Sequence, residues 1–488
     1  MISRRSFIKT SASCLAVASA AGQSAFLWGQ NETLRVRKNL QELSPDSEFF
    51  KQYGAAIRLL HELPKNDARQ FFNQATIHAN YCKHGDINFF SWHRPYVAMF
   101  EEICGHIIGD PTFALPYWDW STNGGRIPKP YYSDKYLNVV YWKDSGKYVG
   151  KNWGPVDSLP DRANLTSDGV QALYKGSKAN PFTADFLTNV LKTPDFSLFH
   201  TQIESQPHNN AHVIAGTLPR TSQFGHMGDG LSPLDPIFWN HHCMVDFLWA
   251  EWQMKGYTTK DNDETYSNMF CDRHGKPISF TNQSVRNFYS LGYTYDKFVL
   301  RQGLQGRLSK LQVETPEQTA LAQRLNTAVA KSLGANIQPI NVNSQSGTKI
   351  TIIANNVRAH LKESRVILHN ESGLPELRED GKRIYAVLKG VSWPKNDRTD
   401  FLVIVSVVDT HNSEETPLEV GSFSFFGSAK MLHHGHDIVI DITDGVAQLE
   451  NAGRLTETLT LRLSTQSSYL KKSHEADFDF QGVEIISL

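Results

Sequence analysis

The sequence lacks the features that mark several large classes of protein. It has 5 cysteines in 488 residues, which is too few for a disulfide-stapled scaffold. Its apolar runs fall short of the ~20 residues needed to span a bilayer, and no internal repeat is visible. The formal net charge is -1, so no global field attracts nucleic acid or an anionic membrane. We therefore expect neither a nucleic-acid partner nor a membrane anchor.

Aromatic residues and histidines are abundant instead. The chain has 10 Trp, 27 Phe and 19 His, a composition that indicates apolar pockets and metal ligation. Its length suggests two or three domains that each bury a core. The period of the apolar residues is helical from about residue 34 to 298 and strand-like after residue 347. The predicted fold is a mainly α domain (30–300), a linker with one helix (301–346) and an all-β sandwich (347–488).

The N-terminus is typical of a twin-arginine export signal. "SRRSFIK" precedes a weakly apolar run, and small residues suitable for cleavage lie near residues 21–25. We expect residues 1–25 to be removed and the protein to be exported by the twin-arginine machinery, to the periplasm or outside the cell. Because this route carries folded proteins, it favours a cofactor inserted before export.

Local patterns place several elements. Helices are predicted over 47–63, after Pro95, and over 315–334, where Thr315 and Gln318 form a capping box and Gly334 ends the helix. Period-2 runs bounded by turn residues predict the strands of the β domain. They are "TKITIIA", "RVILHN", "RIYAVLKGV", "FLVIVSVV", "EVGSFSFFG", "HDIVIDI", "TLTLRLS" and "FQGVEIISL".

Four histidines form one constellation. His208 and His212 are four residues apart, so both imidazoles share a helix face and can converge on one ion. Adjacent His241 and His242 would point about 100° apart on a helix, so only one can join that site. Asp246 lies one turn beyond His242 and could orient its ring, which favours His242 as the ligand. Satisfied core imidazoles remain the alternative for an isolated pair.

His78, His84 and His93 supply a second trio. Six neutral imidazoles without an obvious carboxylate ligand suit copper or zinc better than magnesium, calcium or a carboxylate-bridged di-iron site. Two facing three-histidine sites would fit a dicopper centre that binds dioxygen. Zinc in a hydrolase remains an alternative at this point.

Several motifs resemble the tyrosinase and polyphenol oxidase family of type-3 copper proteins, in a bacterial form with a plant-type C-terminal shielding domain. They are "IHANYCKHGDINFFSWHRPYVAMFEE", "DPTFALPYWDW", "ESQPHNNAHVIAG", "SPLDPIFWNHHCMVDFLWAEW" and "LGYTYDKF". The resemblance implies two copper ions. It assigns His78, His84 and His93 to the first ion, and His208, His212 and His242 to the second.

The resemblance also implies a role for Cys82. Many family members link a cysteine to the second ligand of the first copper through a thioether, and Cys82 precedes His84 by two residues; a buried free thiol is the alternative. Only five residues separate His78 from His84, and His61 is therefore the runner-up ligand. His241 would be a neighbour of the second copper rather than a ligand.

The implied activity is phenol oxidation with O2. Monophenols would be hydroxylated in the ortho position and catechols oxidised to o-quinones. Glu204 matches the family glutamate that holds a water and Asn209 the asparagine that helps activate it, and both favour monophenolase activity; a solvated carboxylate is the alternative for Glu204. "HMGDGLSPLDP" lacks an aromatic gate, which predicts an open entrance. Val213 is a pocket-wall candidate or a core residue.

The C-terminal domain resembles the shielding domain of latent plant-type enzymes, through "VGSFSFFG" and "FQGVEIISL". It would cover the copper site until cleavage between about residues 298 and 347. Phe425, Phe426 and Leu432 are candidates for a plug residue. The "HHGH" segment at 433–436 would assist copper delivery or form a solvated loop.

Other functions stay open at this level. Catechol oxidase or o-aminophenol oxidase activity without monophenolase activity is one alternative, and a haemocyanin-like oxygen binder is another. The export signal and the lack of repeated units argue against the oxygen carrier. The expected partners are a small phenolic substrate, O2, the export machinery and a copper chaperone.

Overall fold

A computed structural model gives the fold. It describes residues 34–144, 159–218, 224–299, 330–343, 347–354, 356–364, 368–369, 375–376, 383–395, 398–409, 417–426, 435–469 and 475–488. The predicted export signal, most of the predicted linker helix, Leu432 and two histidines of the "HHGH" segment lie outside these residues. No helix in the described part of the chain is long and apolar enough to cross a membrane.

The N-terminal domain is mainly helical. Its helices are α1 (Glu48–Glu62), α2 (Phe71–Tyr81), α3 (Phe89–Ile108), α4 (Pro130–Ser133), α5 (Val139–Asp144), α6 (Ala184–Val190), α7 (Phe196–Ile203), α8 (Asn209–Gly216), α9 (Ile237–Met254), α10 (Asn282–Val285) and α11 (Asp296–Val299). Strands β1 (Arg35–Arg37) and β4 (Tyr293–Tyr295) pair in parallel and join the two ends of the domain. Strands β2 (Thr265–Cys271) and β3 (Pro277–Thr281) form a hairpin.

The helices follow the apolar periodicity of the sequence. On α1, Phe50, Tyr53, Ile57 and Leu60 are buried at spacings of three and four residues, which gives the amphipathic pattern expected over 47–63. Helix α3 begins six residues before Pro95, which lies inside it. The prediction of a helix start after this proline is therefore wrong, because the buried aromatic residues of the first turns extend the helix towards its N-terminus.

The C-terminal domain is built on one eight-stranded sheet. Its strands are β5 (Lys331–Asn336), β7 (Thr348–Ile353), β10 (Ile384–Val391), β11 (Phe401–Val408), β12 (Pro417–Phe423), β13 (His436–Asp441), β14 (Thr458–Ser467) and β16 (Gly482–Ser487). Their order across the sheet is β12-β11-β14-β7-β5-β16-β10-β13. Smaller elements are β6 (Ile340–Val342), β8 (Leu368–His369), β9 (Pro375–Glu376), β15 (Phe478–Phe480), α12 (Val357–Ser364) and α13 (Thr443–Asn451).

The sheet curls until its two edges meet. A Cβ added to Gly421 on edge strand β12 would lie 2.8 Å from Ile440 of the opposite edge strand β13. The sheet encloses an apolar core of aliphatic and phenylalanine side chains. The predicted class, a mainly α domain followed by a β domain, is confirmed.

The strand Lys331–Asn336 corrects the sequence analysis. Residues 301–346 were predicted to be a linker whose helix ends at Gly334, but Lys331–Asn336 pairs with β16 and belongs to the large sheet. A Cβ at Gly334 would lie 2.1 Å from the backbone oxygen of Ile353, so the close approach of two strands requires glycine here. At residues 331–334, tertiary pairing therefore overrides the end of the predicted helix.

The two domains pack directly on each other. Leu402 and Ile404 of β11 join the core of the helical domain, and Leu198 of α7 packs against Tyr385 and Val439 of the sheet. Polar contacts surround this apolar patch. The amide of Gln206 donates to the backbone oxygen of Val439 at 3.0 Å. The β domain is thereby held against α7 and the turn that carries His208.

Candidate metal centre

The six predicted ligands line one buried space. His78 lies on α2, His93 on α3, His212 on α8 and His242 on α9, whereas His84 lies in the loop between α2 and α3. His208 ends a π-helical turn, Glu204–His208, that leads into α8. All six side chains are at most 5% exposed. The π turn was not predicted from the sequence, and such turns occur often at functional sites.

Backbone carbonyls orient three of the rings. Nδ1 of His78 lies 2.8 Å from the oxygen of Gly230, and Nδ1 of His212 lies 2.8 Å from that of Met227. His93 makes the same contact at 2.8 Å with the carbonyl four residues earlier. A carbonyl can only accept, so Nδ1 carries the proton and Nε2 keeps its lone pair. This is the arrangement in which a neutral imidazole binds a metal.

Side chains orient two further rings. Nδ1 of His208 lies 2.9 Å from Oδ1 of Asn209, and Nδ1 of His84 lies 3.3 Å from Sγ of Cys82. The Nε2 atoms of His78, His84, His93 and His208 are buried and have no hydrogen-bond partner among the described residues. A buried polar atom left unpaired costs about 1–3 kcal/mol. Four such atoms around one space fit a site that binds metal ions.

The ring nitrogens approach one another closely enough to share ions. Those of His78, His93 and His242 lie within 4.8 Å of one another, and so do those of His208, His212, His241 and His242. Nε2 of His212 and Nε2 of His242 are 3.5 Å apart. Nitrogens bound to one tetrahedral ion at about 2.0–2.1 Å would be separated by roughly 3.4 Å. The donor set, all imidazole with a nearby thiol, suits copper.

His241 lies closer to the cluster than the helix argument implied. It is fully buried, and neither of its ring nitrogens has a hydrogen-bond partner within the described residues. Its ring centroid lies 5.1 Å from that of His208 and 5.1 Å from that of Trp120. The structure thus brings both members of the histidine pair to the second site, where the sequence argument admitted only one.

Burial keeps these imidazoles neutral. Desolvation lowers the pKa of His78 to about 4 and that of His208 to about 3. The pKa values of His84, His93, His212 and His242 are also lowered, first by burial and then by the neighbouring histidines. At neutral pH the rings are therefore uncharged, which is the protonation state that ligates a metal.

The alternative ligand His61 lies elsewhere. Its ring stacks on Trp142 with centroids 3.6 Å apart and contacts Phe71 at 4.7 Å. It belongs to none of the metal-competent groups found in the described part of the chain. The geometry therefore favours His78 over His61 as the third histidine of the first site.

Cys82 stands beside the ring that it was predicted to modify. It caps the C-terminal end of α2 through its backbone N–H, which points the side chain towards the loop that carries His84. Burial raises the pKa of its thiol above the usual value. The sulfur thus lies beside the His84 ring, 3.3 Å from its Nδ1 atom.

Asp246 does not contact a ligand ring, so the prediction that it orients one is wrong. It accepts hydrogen bonds from two arginines and two tyrosines of surrounding elements: Arg37, Arg94, Tyr293 and Tyr295. Burial alone would raise the pKa of Asp246, but the two arginines lower it. The carboxylate faces β1, β4 and α3, away from the metal cluster, and fixes α9 in place. Sequence spacing could not show which face of α9 it occupies.

Glu204 is buried, 5% exposed, so it is not a solvated surface carboxylate. Its Oε1 accepts a hydrogen bond of 2.6 Å from the backbone N–H of Gly85, next to His84. Its Oε2 lies 2.9 Å from Nε2 of His200. The sequence analysis assigned no role to Gly85 or His200: Gly85 lies within the first histidine motif but offers only its backbone N–H, and His200 lies outside the motifs.

The C-terminal domain reaches into the cluster at Phe426. The phenyl ring stacks on His212 with centroids 3.6 Å apart and planes 15° apart. It also lies 5.2 Å from the ring of His84 and 5.7 Å from that of His208. Phe425 points the other way, into the core of the β domain. Of the predicted plug candidates in the described part, Phe426 is the one at the site.

Apolar walls complete the surroundings. The ring of Phe238 lies 4.3 Å from His242 and 5.0 Å from His78. Trp239 stacks on Phe100 at 3.5 Å and belongs to the core. Val213 is fully buried, so it does not line an open entrance in this state. A dry, low-dielectric surrounding strengthens the electrostatic interactions inside the site.

Comparison with known proteins gives a consistent result. A family model described as the common central domain of tyrosinase matches residues 60–255. The chain is 29% identical over 294 residues to a chloroplastic polyphenol oxidase II of Ipomoea batatas, covering 54% of this chain and 50% of that protein. It is 30% identical over 298 residues to a chloroplastic polyphenol oxidase A1 of Vicia faba, covering 55% and 48%. The chain thus spans about half the length of these curated relatives.

A solved structure extends the likeness to both domains. The structure of a latent apple tyrosinase matches with a TM-score of 0.54 at 20% identity, and covers 93% of this chain and 97% of that one. At this identity the likeness concerns the fold alone. It supports the order of a helical domain followed by a β domain.

Proposed function

We propose that this chain, whose residues 60–255 match the common central domain of tyrosinase, is a copper-dependent phenol oxidase. The observation that carries the proposal is the set of six buried histidines whose ring nitrogens converge on one space. The first ion would be held by His78, His84 and His93, and the second by His208, His212 and His242. When bound, the copper pair would supply the redox chemistry with dioxygen.

The protein itself would orient and deprotonate the phenol. Phe426 supports a position for the substrate ring, because its phenyl group stacks face to face on His212. Glu204 and Asn209 would hold and polarise the water that accepts the phenolic proton. Glu204 is fixed by Gly85, and Asn209 is fixed against His208. This pair supports hydroxylation of monophenols in addition to oxidation of catechols.

The C-terminal domain would keep the enzyme latent. Phe426 fills the place at which the phenol would stack, and the backbone oxygen of Ser424 accepts a hydrogen bond from Nδ2 of Asn209 at 3.2 Å. The shield would thus exclude the substrate and also hold the residue that activates water. Cleavage between the domains, or removal of the Phe426 ring, should open the site. The N-terminal motif supports export by the twin-arginine route in a bacterium, with copper delivered by a chaperone.

One experiment tests the activity. Copper content and initial rates on tyrosine, L-DOPA and an o-aminophenol should be measured before and after limited proteolysis. We expect two copper ions per chain, low rates before cleavage and high rates on tyrosine and L-DOPA afterwards. A protein without copper, or one that oxidises none of the three substrates after cleavage, would contradict the proposal. Equal rates before and after cleavage would contradict latency alone.

A second experiment tests the plug. The full-length Phe426→Ala protein should oxidise L-DOPA without proteolysis, because truncation removes the ring from the metal cluster. Phe425→Leu is the matched control, since Phe425 packs in the β core and its truncation leaves Phe426 in place. A Phe426→Ala protein as inactive as the uncleaved parent would show that another element closes the site.

A further inference from the structure

A polar cavity lies between the two domains beside the metal centre. Its volume is about 290 Å³, and its walls include Gly85, His200 and Glu204 of the helical domain and His436 and Asp437 of the sheet. This volume is far above the ~10–15 Å³ needed to accommodate one water. The cavity therefore offers room for water next to Glu204.

His200 is buried at the wall of this cavity. It lies on α7, one turn before Glu204, and is 5% exposed. Its ring packs against Phe89, Phe90 and Phe196 at centroid distances of 5.8, 6.0 and 6.2 Å. The Nε2 atom of this ring lies 2.9 Å from Oε2 of Glu204, within ion-pair distance.

Glu204 connects the two halves of the metal centre. It opens the π-helical turn that ends at His208, and its other oxygen accepts the N–H of Gly85, immediately after His84. A glutamate side chain has several rotamers, and fixing it in one of them costs conformational entropy. Each carboxylate oxygen of Glu204 has a neighbour, Gly85 at Oε1 and His200 at Oε2.

We propose that His200 is a positioning residue that fixes Glu204, and through Glu204 the loop carrying His84. The inference rests on the proposed function for its catalytic consequence: a displaced Glu204 would hold its water poorly and impair phenol deprotonation. Tyrosine hydroxylation should therefore suffer more than L-DOPA oxidation, since a catechol gives up its proton more readily.

The test uses the full-length chain carrying Phe426→Ala, so that the site is open. In this parent, His200→Phe keeps the aromatic packing and removes the nitrogen, whereas His200→Gln restores a polar group. His106→Phe is the control, because His106 is exposed on α3 outside the cavity. Two quantities are measured: the tyrosine to L-DOPA ratio of kcat/KM, and hydrogen exchange of the Gly85 amide in the metal-free protein.

We expect His200→Phe to lower the tyrosine to L-DOPA ratio about tenfold, as loss of a supporting contact does at metal sites, and to speed exchange at Gly85. His200→Gln should recover most of both, and His106→Phe should match the parent. Parent-like exchange and ratio in His200→Phe would overturn the proposal, and so would equal impairment of the Phe and Gln variants.

Failure of the proposed function looks different. It would appear in the parent protein itself, as absent copper or absent phenol oxidation. Exchange at Gly85 would still decide the positioning role in that case, because this measurement needs neither metal nor substrate.

Discussion

The two halves of the metal centre are built differently. The second half takes His212 and His242 from the interiors of α8 and α9, and His208 from the turn that leads into α8. The first half takes one ligand, His84, from a loop between two helices. A helix fixes the spacing of its own side chains, whereas a loop ligand is placed only by what the loop touches. The first site therefore depends more on distant contacts.

Those contacts come from widely separated parts of the chain. Glu264, which precedes β2, pairs with Lys83 at 2.8 Å and accepts a hydrogen bond of 2.9 Å from Asn88. Gly85 is held by Glu204. The second site has its own distant support, because α9 is anchored through Asp246. The two halves thus differ in what secures them. A buried ion network anchors helix α9 of the second site, whereas polar contacts hold the loop of the first site.

The largest effect is expected at the anchor of α9. Asp246→Asn removes the charge that compensates two buried arginines, which should lower the free energy of unfolding by about 3–5 kcal/mol. Urea unfolding of the metal-free protein measures this loss. Glu48→Gln is the control, because Glu48 and its partner Lys51 are about 70% exposed and their pair contributes about 0–1 kcal/mol. A loss under about 1 kcal/mol at Asp246 would mean that the network does not secure the helix.

Removal of a ligand from either half comes next. His84→Gln and His242→Gln should each lower the copper content by about one ion per chain. After proteolysis, each variant should oxidise L-DOPA more than ~100-fold more slowly than the unmodified protein, because loss of a group that only supports a ligand already costs up to that factor. Metal analysis with rate measurements checks both. Retention of full copper by His84→Gln would show that the loop does not carry a ligand. His106→Gln should behave as the unmodified protein.

A smaller effect is expected from Cys82, which supports the loop half only. Cys82→Ser should weaken copper binding at the first site about tenfold and leave the second site unchanged, as measured by competition with a chelator. If the thioether forms, the mass of the protein without substitutions should be lower than the sequence mass by two hydrogens, as measured by mass spectrometry. Cys104→Ala, at a buried position on α3, should change neither property. Equal weakening of both sites would remove the distinction between the halves.

The smallest effect is expected at Glu264. Its pair with Lys83 is partly exposed, 27% and 33% for the two side chains, so solvent screens it and Glu264→Gln should cost no more than about 1 kcal/mol. Copper should nevertheless leave the first site faster than the second. Asp477→Asn, in a half-exposed pair with Lys395 of the β domain, is the matched control. Equal release from both sites would show that the loop contacts are not specific to the first half.

Much of the fold could be predicted because its signals are local. The run "FLVIVSVV" is rich in β-branched residues and forms β11. The run "TLTLRLS" alternates polar and apolar residues and forms most of β14. Strand β5 was missed because its pairing with β16 depends on residues about 150 positions away. At residues 331–334 this pairing replaces the end of the helix that the capping box and Gly334 predicted. Long-range pairing of this kind leaves no signature within a short window of sequence.

The candidate site divides in the same way. The spacing of His208 and His212 indicated one shared helix face, and the structure brings both rings to one cluster. The prediction that Asp246 orients a ligand ring was wrong. A residue one turn beyond His242 can face either the metal cluster or the neighbouring elements β1, β4 and α3, and spacing alone does not distinguish the two. Gly85 acts only through its backbone and His200 lies outside the motifs, so only their distances to Glu204 identify them.

The sequence by itself determined which residue types were available: six imidazoles at defined spacings, a thiol beside one of them and a run of phenylalanines in the β domain. Only the tertiary structure decided that Phe426 rather than Phe425 enters the cluster. Adjacent residues in an extended chain point to opposite sides, so both are equivalent until the sheet docks on the helices. Docking buries one ring in the β core and stacks the other on His212.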